Sequence, residues 1–422
     1  MTIGRAQLEA IVDALTVILP ARAPADAQLR TFFREHKNLG HRDRALVADT
    51  VYAALRRRRM LEHVTPGASP REIALATLVK LQGVGLAQIE SVLRPGEKAW
   101  LAQLKARDLA ELPFELRADL PDWVIERLRP ALGDAELLAL ARGLQDAAPL
   151  DLRVNTMKAP REAVLDRLEY DEIEAVPTRY APQGVRLRGN PALNQHPMFL
   201  DGAVEVQDEG SQLLGMLVEP RRGEMVVDFC AGAGGKTLQM GAAMNSTGRL
   251  YAFDVSDKRL DNLAPRLKRS GLSNVFPHRI AGENDAKVKR LRGKIDRVLV
   301  DAPCTGLGTL RRNPDLKTRQ TAEGLAELNA KQRAILAAAA GLVKPGGRLV
   351  YGTCSLLAEE NEAVVEEFLA AHPDFRRVSA AAILEHQGVK IPGAGDYLHL
   401  YPHVHDTDGF FAAVMQRQGN RT

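Results

Sequence analysis

The first 140 or so residues place apolar side chains with the period of an amphipathic helix. In residues 8–15 they recur every three or four positions, which gathers them on one helical face. The same pattern recurs, between proline and glycine signals, in residues 45–61, 71–81, 123–132 and 135–144. The sequence therefore predicts an all-α domain over residues 1–140.

Near residue 150 the pattern changes to shorter elements. Three β-like runs at residues 152–155, 184–187 and 203–207 flank a helical pattern at 161–168. We expect these elements to form a small α+β subdomain over residues 141–210.

From residue 225 onward, near-continuous apolar runs alternate with helical patterns. The predicted strands are residues 225–229, 249–255, 297–300 and 348–351, and the predicted helices are 257–270, 321–342 and 359–369. Strands of this kind between helices indicate an α/β domain with a mostly parallel sheet that is covered on both faces. We place this domain at residues 211–422.

The overall composition adds the cellular setting. With 422 residues, 45% of them hydrophobic and 26% charged, the chain is typical of a protein with two or three folded domains. No run of about 18 apolar residues predicts a membrane span. The three cysteines lack disulfide-like or zinc-ligand spacing, which favours a reducing compartment and no metal. We therefore expect a cytoplasmic, monomeric protein.

The net charge of +4 is concentrated at the N-terminus. Residues 1–63 contain eleven Lys or Arg and seven Asp or Glu, and four of the cations are consecutive: Arg56, Arg57, Arg58 and Arg59. Cations at a helix C-terminus are favoured by the helix dipole. The same four side chains are also suited to RNA phosphates. Both interpretations stay open.

The strongest local motif is a glycine-rich loop at residues 226–237, between a predicted strand and a helix. Its last residues, Gly235, Lys236 and Thr237, match the end of an ATP-binding P-loop, but Cys230 stands where that motif begins with glycine. Loops of this kind let a ligand approach the backbone closely. The predicted cofactor-binding residues here are Cys230, Ala231, Gly232, Ala233, Gly234, Gly235 and Lys236.

An acidic residue after the second strand distinguishes the ligand classes. Asp254 ends the run at 249–255 and lies 22 residues after Gly232, where a carboxylate can accept both ribose hydroxyls. A P-loop does not need this carboxylate, so the glycine-rich loop and Asp254 together favour S-adenosylmethionine over ATP. A third contact is expected among Glu283, Asn284 and Asp285, of which we choose Asp285.

Two cysteines follow predicted strands. Cys304 follows Asp301-Ala-Pro, and Cys354 follows Tyr351-Gly-Thr. Because ligands bind beyond the carboxyl ends of parallel strands, both sulfurs are expected in the cleft beside the glycine-rich loop. A lone cysteine is often a buried apolar residue, but two at this edge favour chemistry.

The chemistry that suits such thiols is methylation of cytosine. A thiolate that adds at C6 of the ring makes C5 nucleophilic towards a methyl sulfonium. Asp301 is placed to assist at N3, a base must then remove the C5 proton, and Lys236 is the cation that would favour the thiolate.

These motifs resemble a known family. Thr353-Cys354-Ser355 together with Asp301-Ala-Pro-Cys304 is similar to the Sun/Nop family of RNA cytosine-5 methyltransferases. The resemblance extends over about residues 150–417 and includes residues 153–158, 206–212, 359–362 and 408–411. Residues 40–44 and 51–52, before the arginine run, resemble the NusB-type helical domain of the bacterial ribosomal-RNA members.

The resemblance implies a fold and specific roles. The fold is a Rossmann-like class I methyltransferase domain with a mostly parallel, seven-stranded sheet. Cys354 is implied to be the nucleophile and Cys304 to promote product release, with Asp254, Asp301 and the glycine-rich loop contacting cofactor or cytosine. The implied substrate is 16S ribosomal RNA, and transfer RNA stays an alternative.

Contacts to RNA are expected outside the cleft as well. Within the resemblance, Arg153, Asn155 and Lys158 are candidates, as are Arg311, Arg312 and Lys317 in the loop after Cys304. Aromatic residues make up only 5% of the chain, so binding through rows of stacked bases is not expected. Recognition of RNA shape, phosphate contacts and one flipped cytosine fit better.

Overall fold

A computed structural model describes residues 2–189 and 191–419. The chain forms two compact units, of which the first comprises Met1–Ala147 and Thr309–Ala322 and the second comprises Ala148–Gly308 and Glu323–Thr422. The second unit thus contains both the predicted α+β subdomain and the predicted sheet domain. The segment at 309–322, which the sequence analysis assigned to the C-terminal domain, belongs to the first unit.

The first unit is helical, as predicted. Its helices are Arg5–Ile18, Ala25–Glu35, His41–Arg56, Arg58–Val64, Pro70–Ala76, Leu86–Ile89, Glu97–Ala106, Phe114–Ala118, Asp122–Gln145 and Leu316–Arg319, with a π-turn at Thr77–Leu81 and a 3₁₀ turn at Glu90–Val92. Leu8, Ile11 and Leu15, which share one helical face, are almost completely buried. The long helix Asp122–Gln145 is interrupted at Gly133 (φ 70°), where the sequence predicts two separate helices.

The predicted single helix at 45–61 is instead two helices that meet at Arg57. Arg57 has φ −117° and ψ 29°, which ends the helical path. The Asp119 carboxylate accepts the backbone N–H groups of Arg59 at 3.3 Å and Met60 at 2.9 Å. It therefore caps the second helix, since the first N–H groups of a helix have no partner within it. This cap lies far away in the sequence, so a local pattern does not indicate it.

Asp119 also holds the inserted segment within the first unit. The Lys317 Nζ lies 3.1 Å from one Asp119 oxygen, and the Arg57 Nε lies 3.8 Å from the other. Lys317 donates to the Arg56 carbonyl at 2.6 Å, and the Arg56 guanidinium donates to the Arg311 carbonyl at 2.8 and 3.0 Å. Burial lowers the pKa of Lys317, and the Asp119 charge opposes this shift. Much of the arginine run is thus used inside the protein.

The second unit begins with a small antiparallel sheet. Its strands are β1 (Leu150–Val154), β2 (Ala175–Pro177), β3 (Gly184–Leu187) and β4 (Val204–Val206), in the order β2-β3-β1-β4. The accompanying helices are Arg161–Tyr170 and Pro197–Leu200, with a 3₁₀ turn at Leu193–Gln195. The sequence analysis missed β2, because a three-residue strand that ends in proline has no alternating pattern.

The larger sheet of the second unit carries the predicted strands at its centre. It consists of β5 (Met225–Asp228), β6 (Arg249–Asp254), β7 (Val275–Arg279), β8 (Ile295–Asp301), β9 (Val343–Thr353), β10 (Phe375–Val378), β11 (Tyr397–Leu400) and β12 (Phe410–Arg417). The order is β10-β12-β9-β8-β5-β6-β7. Strands β5 to β9 are parallel, and β12 is antiparallel to β9.

The larger sheet has eight strands within the described residues, where the resemblance implied seven. The extra strand arises because β10 and β11 pair with successive halves of β12. The helices of this region are Glu209–Met216, Gly235–Ala243, Asp257–Ser270, Ala286–Lys289, Ala322–Ala340, Glu362–Ala371, Ala380–His386 and Pro402–His405, and a 3₁₀ turn lies at Leu307–Thr309. Among the helices of the described ranges, none has the length and apolar character needed to cross a membrane.

Burial on both faces explains the apolar runs of the central strands. Val226 and Val227 are adjacent in β5, yet they belong to different hydrophobic clusters on opposite faces of the sheet. Val298, Leu299 and Val300 in β8 are all fully buried. A strand with two buried faces needs apolar residues at successive positions, which is the pattern seen in the sequence.

Replacement of Asp119 tests the buried ion cluster of the first unit. We expect Asp119→Ala to lower the free energy of unfolding by about 3–5 kcal/mol, because it leaves the Lys317 ammonium buried without its partner. Asp122→Ala is the matched control, since Asp122 is mostly exposed in its ion pair with Arg59 and should cost less than about 1 kcal/mol. Urea denaturation followed by circular dichroism measures both, and equal losses would contradict the assignment.

Candidate active site

The carboxyl ends of β5, β6, β8 and β9 surround a cavity of about 650 Å³ in the second unit. The glycine-rich loop forms one wall, and both predicted cysteines lie on its lining. The lining residues include Cys230, Ala231, Gly232, Ala233, Gly235, Lys236, Asp254, Glu283, Asp301, Cys304, Lys331 and Cys354. The structure therefore brings together most of the residues that the sequence predicted for cofactor binding and catalysis.

Glycine is required at the start of the helix that follows the loop. Gly234 has φ 84° and precedes the helix Gly235–Ala243. A Cβ atom added at this position would lie 2.1 Å from Leu263 Cδ1. The left-handed conformation and the tight contact both exclude a side chain here, so the loop can turn sharply into the helix beside the cavity.

Asp254 holds the loop to the end of the neighbouring strand. One of its carboxylate oxygens accepts the Gly232 N–H at 2.9 Å, and the other accepts the Ser256 N–H at 2.8 Å. The side chain is almost completely buried in the protein but lines the cavity. Asp254 is thus fixed in the position that the sequence predicted for a ribose acceptor.

The predicted third contact is placed differently. Asp285 accepts the backbone N–H groups of Ala281 and Lys287, each at 2.8 Å, and it is not among the residues that line the cavity. It caps the short helix Ala286–Lys289. Glu283 lines the cavity instead. The sequence placed the predicted cofactor contact within residues 283–285. Which of these side chains lines the cavity depends on the conformation of the turn, which the sequence does not show.

Asp228 is a buried carboxyl group that the sequence analysis did not single out. It ends β5, and its Oδ2 accepts the Thr237 hydroxyl at 2.6 Å. Its Oδ1 is buried and finds no hydrogen-bond donor among the described residues. Burial raises the pKa of Asp228 to about 7, and the neighbouring charge of Asp301 acts in the same direction. The group therefore titrates near neutrality beside the cavity.

The two predicted catalytic cysteines form a close pair. The Sγ atoms of Cys304 and Cys354 lie 3.4 Å apart. Strands β8 and β9 are parallel neighbours with Asp301 opposite Gly352, so the turns after both strands meet at one edge. The Gly308 N–H also donates to the Cys354 carbonyl at 2.8 Å, which joins the turns directly.

An ion pair between the buried Lys236 and the partly exposed Asp301 lines the cavity together with the sulfurs. The Lys236 Nζ donates to Asp301 Oδ2 at 2.8 Å, and it lies 5.5 Å from the centre of the Phe410 ring. Burial lowers the pKa of Lys236, but the Asp301 carboxylate and the charge of Cys354 outweigh this and raise it above the usual value. Lys236 therefore stays charged and favours an ionised sulfur nearby.

Two of the thiols, those of Cys304 and Cys230, are expected to stay protonated. The hydrogen bond with Cys354 raises the pKa of Cys304 well above its usual value, and burial and the charge of Glu360 raise it further. Burial, with the charges of Asp228 and Asp301, also raises the pKa of Cys230. Cys304 and Cys230 therefore hold their protons at neutral pH.

Glu360 is the main residue of the site that the sequence reasoning missed. It is completely buried, and its carboxylate accepts hydrogen bonds from Thr305, Ser355 and Gln332. Its neighbour Asn361 accepts the Thr353 hydroxyl at 2.5 Å. Residues 359–362 entered the sequence analysis as the start of a predicted helix and as part of the family resemblance, without a role for Glu360 itself. The sequence showed only a carboxylate just before an apolar helix, and a carboxylate in that place is usually exposed.

Two of the predicted RNA contacts lie inside the second unit. Arg153 is 4% exposed and donates to the Gly235 carbonyl at 2.6 Å and to Gln207. Asn155 is 6% exposed and donates to the carbonyls of Gly202 and Ser270, each at 3.0 Å. These bonds fix the small sheet to the rest of the unit. Arg153 and Asn155 are therefore buried structural residues and not exposed contacts for RNA.

The other predicted RNA contacts also have partners within the protein. Lys158 donates to the Asp201 carbonyl, Arg58 pairs with Glu62, and Arg59 pairs with Asp122. Lys317 is buried in the Asp119 cluster. Arg311 and Arg312 belong to the same inserted segment of the first unit. RNA binding by the more exposed of these cations stays a prediction.

Comparison with known proteins identifies the family. The model of "16S rRNA methyltransferase RsmB/F" matches residues 215–416, and a model of the ferredoxin-like domain of these proteins matches residues 120–194. A probable ribosomal RNA small subunit methyltransferase B from Synechocystis sp. is 36% identical over 346 residues, which cover 81% of this chain and 76% of that protein. The chain belongs to the RsmB/F family of ribosomal RNA methyltransferases.

A further relative and a solved structure agree with this assignment. A probable small subunit methyltransferase B from Bacillus subtilis is 32% identical, and the match covers 71% of this chain and 66% of that protein. The crystal structure of a protein named PH0851 superposes with a TM-score of 0.80 at 27% identity, covering 99% of this chain and 100% of that one. The fold and the family are thus shown by independent comparisons.

The RsmB/F family membership makes this chain an RNA methyltransferase with S-adenosylmethionine as its cofactor. The cavity fits this molecule, because its lining includes the glycine-rich loop and the Asp254 carboxylate that is hydrogen-bonded to the loop. The alternative of an ATP-binding P-loop protein is wrong for this family. In the structure Lys236, which that alternative would direct to phosphates, is paired with Asp301.

Replacement of Asp254 tests the cofactor cavity. We expect Asp254→Ala to weaken S-adenosylmethionine binding by about 10- to 100-fold, because a hydrogen-bonded carboxylate and the anchor of the loop are both lost. Asp285→Ala, which changes a carboxylate outside the cavity, should leave the affinity within about twofold. Isothermal titration calorimetry measures both. A larger loss for Asp285→Ala would restore that residue as a cofactor contact.

The pKa of Asp228 predicts how stability depends on pH. Its folded-state value of about 7 lies above the ordinary value of 3.8, so the stabilisation that protonation gives is fully present below about pH 4. It is lost as the pH rises through about 7, and amounts to at most about 4 kcal/mol. Asp228→Asn keeps an acceptor for Thr237 and should remove this part of the dependence. Urea unfolding of both proteins from pH 5 to 8 checks this, and parallel curves would contradict it.

Proposed function

We propose that this protein methylates carbon 5 of a cytosine in 16S ribosomal RNA through a covalent bond between Cys354 and C6 of the base. The observation that carries the proposal is the pair of sulfurs 3.4 Å apart, which lies beside the Lys236–Asp301 ion pair on the wall of the cofactor cavity. The names of the relatives, small subunit methyltransferase B, support the choice of 16S ribosomal RNA.

Addition to the base is the first step that these residues support. The Lys236 ammonium stabilises the Cys354 thiolate, which forms a bond to C6 and sends negative charge towards N3 and C5. The Lys236 ammonium donates to Asp301 Oδ2 at 2.8 Å and has further N–H groups. A hydrogen bond from one of them to N3 stabilises that charge. S-adenosylmethionine supplies the electrophilic methyl group that C5 then takes.

Release of the product requires a base for the C5 proton. Before addition, the hydrogen bond with Cys354 is the largest cause that raises the pKa of Cys304. That cause disappears once the Cys354 sulfur is bonded to carbon and carries no charge. Cys304 then gives its own proton to water, and its thiolate takes the C5 proton while the bond between C6 and Cys354 breaks and returns its electron pair to the Cys354 sulfur. This order assigns attack to Cys354 and release to Cys304.

The opposite order is a specific alternative. In the scheme of DNA cytosine methyltransferases the cysteine of a proline-cysteine pair attacks, which would make Cys304 the nucleophile. The surrounding charges disfavour that order, because the Lys236 charge interacts with Cys354 and the Glu360 charge opposes ionisation of Cys304.

Two single substitutions test the assignment. We expect Cys354→Ala to lower methyl transfer at least about 1,000-fold and to form no adduct, because the nucleophile is absent. Cys304→Ala should instead accumulate a protein–RNA adduct that survives denaturing electrophoresis, because the adduct forms but does not resolve. Transfer from radiolabelled S-adenosylmethionine to unmodified 16S RNA and to transfer RNA provides the activity measurement.

The double variant with both substitutions is the matched control and should form no adduct. An adduct with Cys354→Ala and none with Cys304→Ala would reverse the two roles. Methylation of transfer RNA but not of 16S RNA would leave the chemistry intact and change the substrate.

A further inference from the structure

Glu360 occupies an unusual place for a carboxylate. It is 0% exposed, and its described partners are four uncharged donor groups on three residues. A buried charge is costly unless hydrogen bonds compensate for it. Two of the three residues directly follow the two catalytic cysteines in the sequence. This arrangement needs an explanation beyond packing, since an apolar residue of similar size would avoid the cost.

We infer that Glu360 is a positioning residue that holds the turns after β8 and β9 together and thereby sets the separation of the Cys304 and Cys354 sulfurs. The inference deepens the proposed function and rests on it for its role in catalysis. Its structural part, the link between two turns, stands on hydrogen bonds within the second unit.

The link to the first turn passes through Thr305, the residue after Cys304. The Thr305 backbone N–H donates to Glu360 Oε1 at 2.9 Å, and its hydroxyl donates to Oε2 at 2.5 Å. Gln332 reinforces this side, because its Nε2 lies 2.9 Å from both Glu360 Oε1 and the Pro303 carbonyl. The residues immediately before and after Cys304 are therefore both held, one directly and one through Gln332.

The link to the second turn passes through Ser355, the residue after Cys354. Its hydroxyl donates to Glu360 Oε2, and it lies 3.2 Å from the Thr305 hydroxyl. Glu360 Oε2 thus accepts a hydrogen bond from one hydroxyl of each turn. Because the two turns follow different strands, removal of this oxygen removes a direct connection between them.

The charge of Glu360 is consistent with the different roles proposed for Cys304 and Cys354. After the hydrogen bond with Cys354 and burial, the charge of Glu360 is a further cause that raises the pKa of Cys304. A neutral glutamine of the same shape would accept at one end and donate to the hydroxyls at the other. It would therefore preserve the connection between the turns and remove only the charge.

Disulfide formation between the two sulfurs measures their separation without RNA or cofactor. Diamide oxidises two thiols to a disulfide: two electrons and two protons pass to its nitrogen–nitrogen double bond, which becomes a hydrazine. The rate depends steeply on how well the sulfurs are placed, because misplacement by about 1 Å can cost about 100-fold in an intramolecular reaction. Mass spectrometry of peptides separates the pair of Cys304 and Cys354 from pairs that contain Cys230.

We expect Glu360→Ala to slow this cross-link by about 100-fold and Glu360→Gln to leave it within about threefold of wild type at its pH optimum. The pH profile of the cross-link should shift to lower pH in Glu360→Gln, because the charge that opposes ionisation of Cys304 is gone. A purely structural role would not produce that shift. Glu209→Gln is the control, since Glu209 is also completely buried and accepts backbone N–H groups.

Ser355→Ala provides a second variant in case Glu360→Ala does not fold. It keeps Glu360 and removes one hydroxyl link, so it should slow the cross-link while the protein remains folded. A wild-type rate in Glu360→Ala, or in Ser355→Ala if the first is unfolded, would overturn the inference. An unshifted pH profile in Glu360→Gln would overturn its electrostatic part. None of these rates requires methyl transfer, so failure of the proposed function would show separately as a missing adduct on Cys354.

Discussion

The contact between two sulfur atoms is the constraint on which the rest of the site depends. Two thiols 3.4 Å apart ionise as a pair, because negative charge on one sulfur disfavours negative charge on the other. Their closeness follows from the sheet: β8 and β9 are adjacent and parallel, so the turns after them leave from the same edge. A parallel sheet thereby brings two distant sequence motifs together as one pair of sulfurs.

The surrounding charges act differently on the two sulfurs. The Lys236–Asp301 ion pair lies on the cavity wall with the sulfurs and favours negative charge on Cys354. The Glu360 carboxylate opposes negative charge on Cys304. The cofactor end of the cavity is separately organised, because Asp254 ties the glycine-rich loop to the end of β6. The glycine-rich loop and the pair of sulfurs are thus held by different residues along one edge of the sheet.

The sequence was sufficient where a residue's role follows from its place at the end of a strand. Cys304, Cys354 and Asp254 could be assigned to one cleft because apolar strands and the loops after them are visible as local patterns. The same reasoning failed for Glu360 and Asp228, whose importance comes from burial. Burial of a carboxylate depends on which donors the tertiary structure brings to it, and those donors lie elsewhere in the chain.

The tertiary partners of polar residues in the first unit were also not visible in the local sequence. The break in the predicted helix at Arg57 is stabilised by Asp119, about sixty positions further along the chain, and Lys317 is held from still further away. A local pattern of cations cannot reveal such partners, so the arginine run looked equally suited to RNA and to the protein itself. The antiparallel strands β10 to β12 were missed for a related reason, since their pairing is set by β9 and by one another.

Mapping the RNA-bound cysteine in the wild-type protein tests the central claim most directly. In the presence of S-adenosylmethionine, a 16S RNA fragment with 5-fluorocytidine at its cytosines should trap the enzyme after methyl transfer, because the fluorine left at C5 cannot be removed as a proton. After digestion with protease and nuclease, mass spectrometry identifies the peptide that carries the modified nucleotide. The account predicts that this nucleotide is bonded to the Cys354 sulfur. A nucleotide bonded to Cys304 would contradict it.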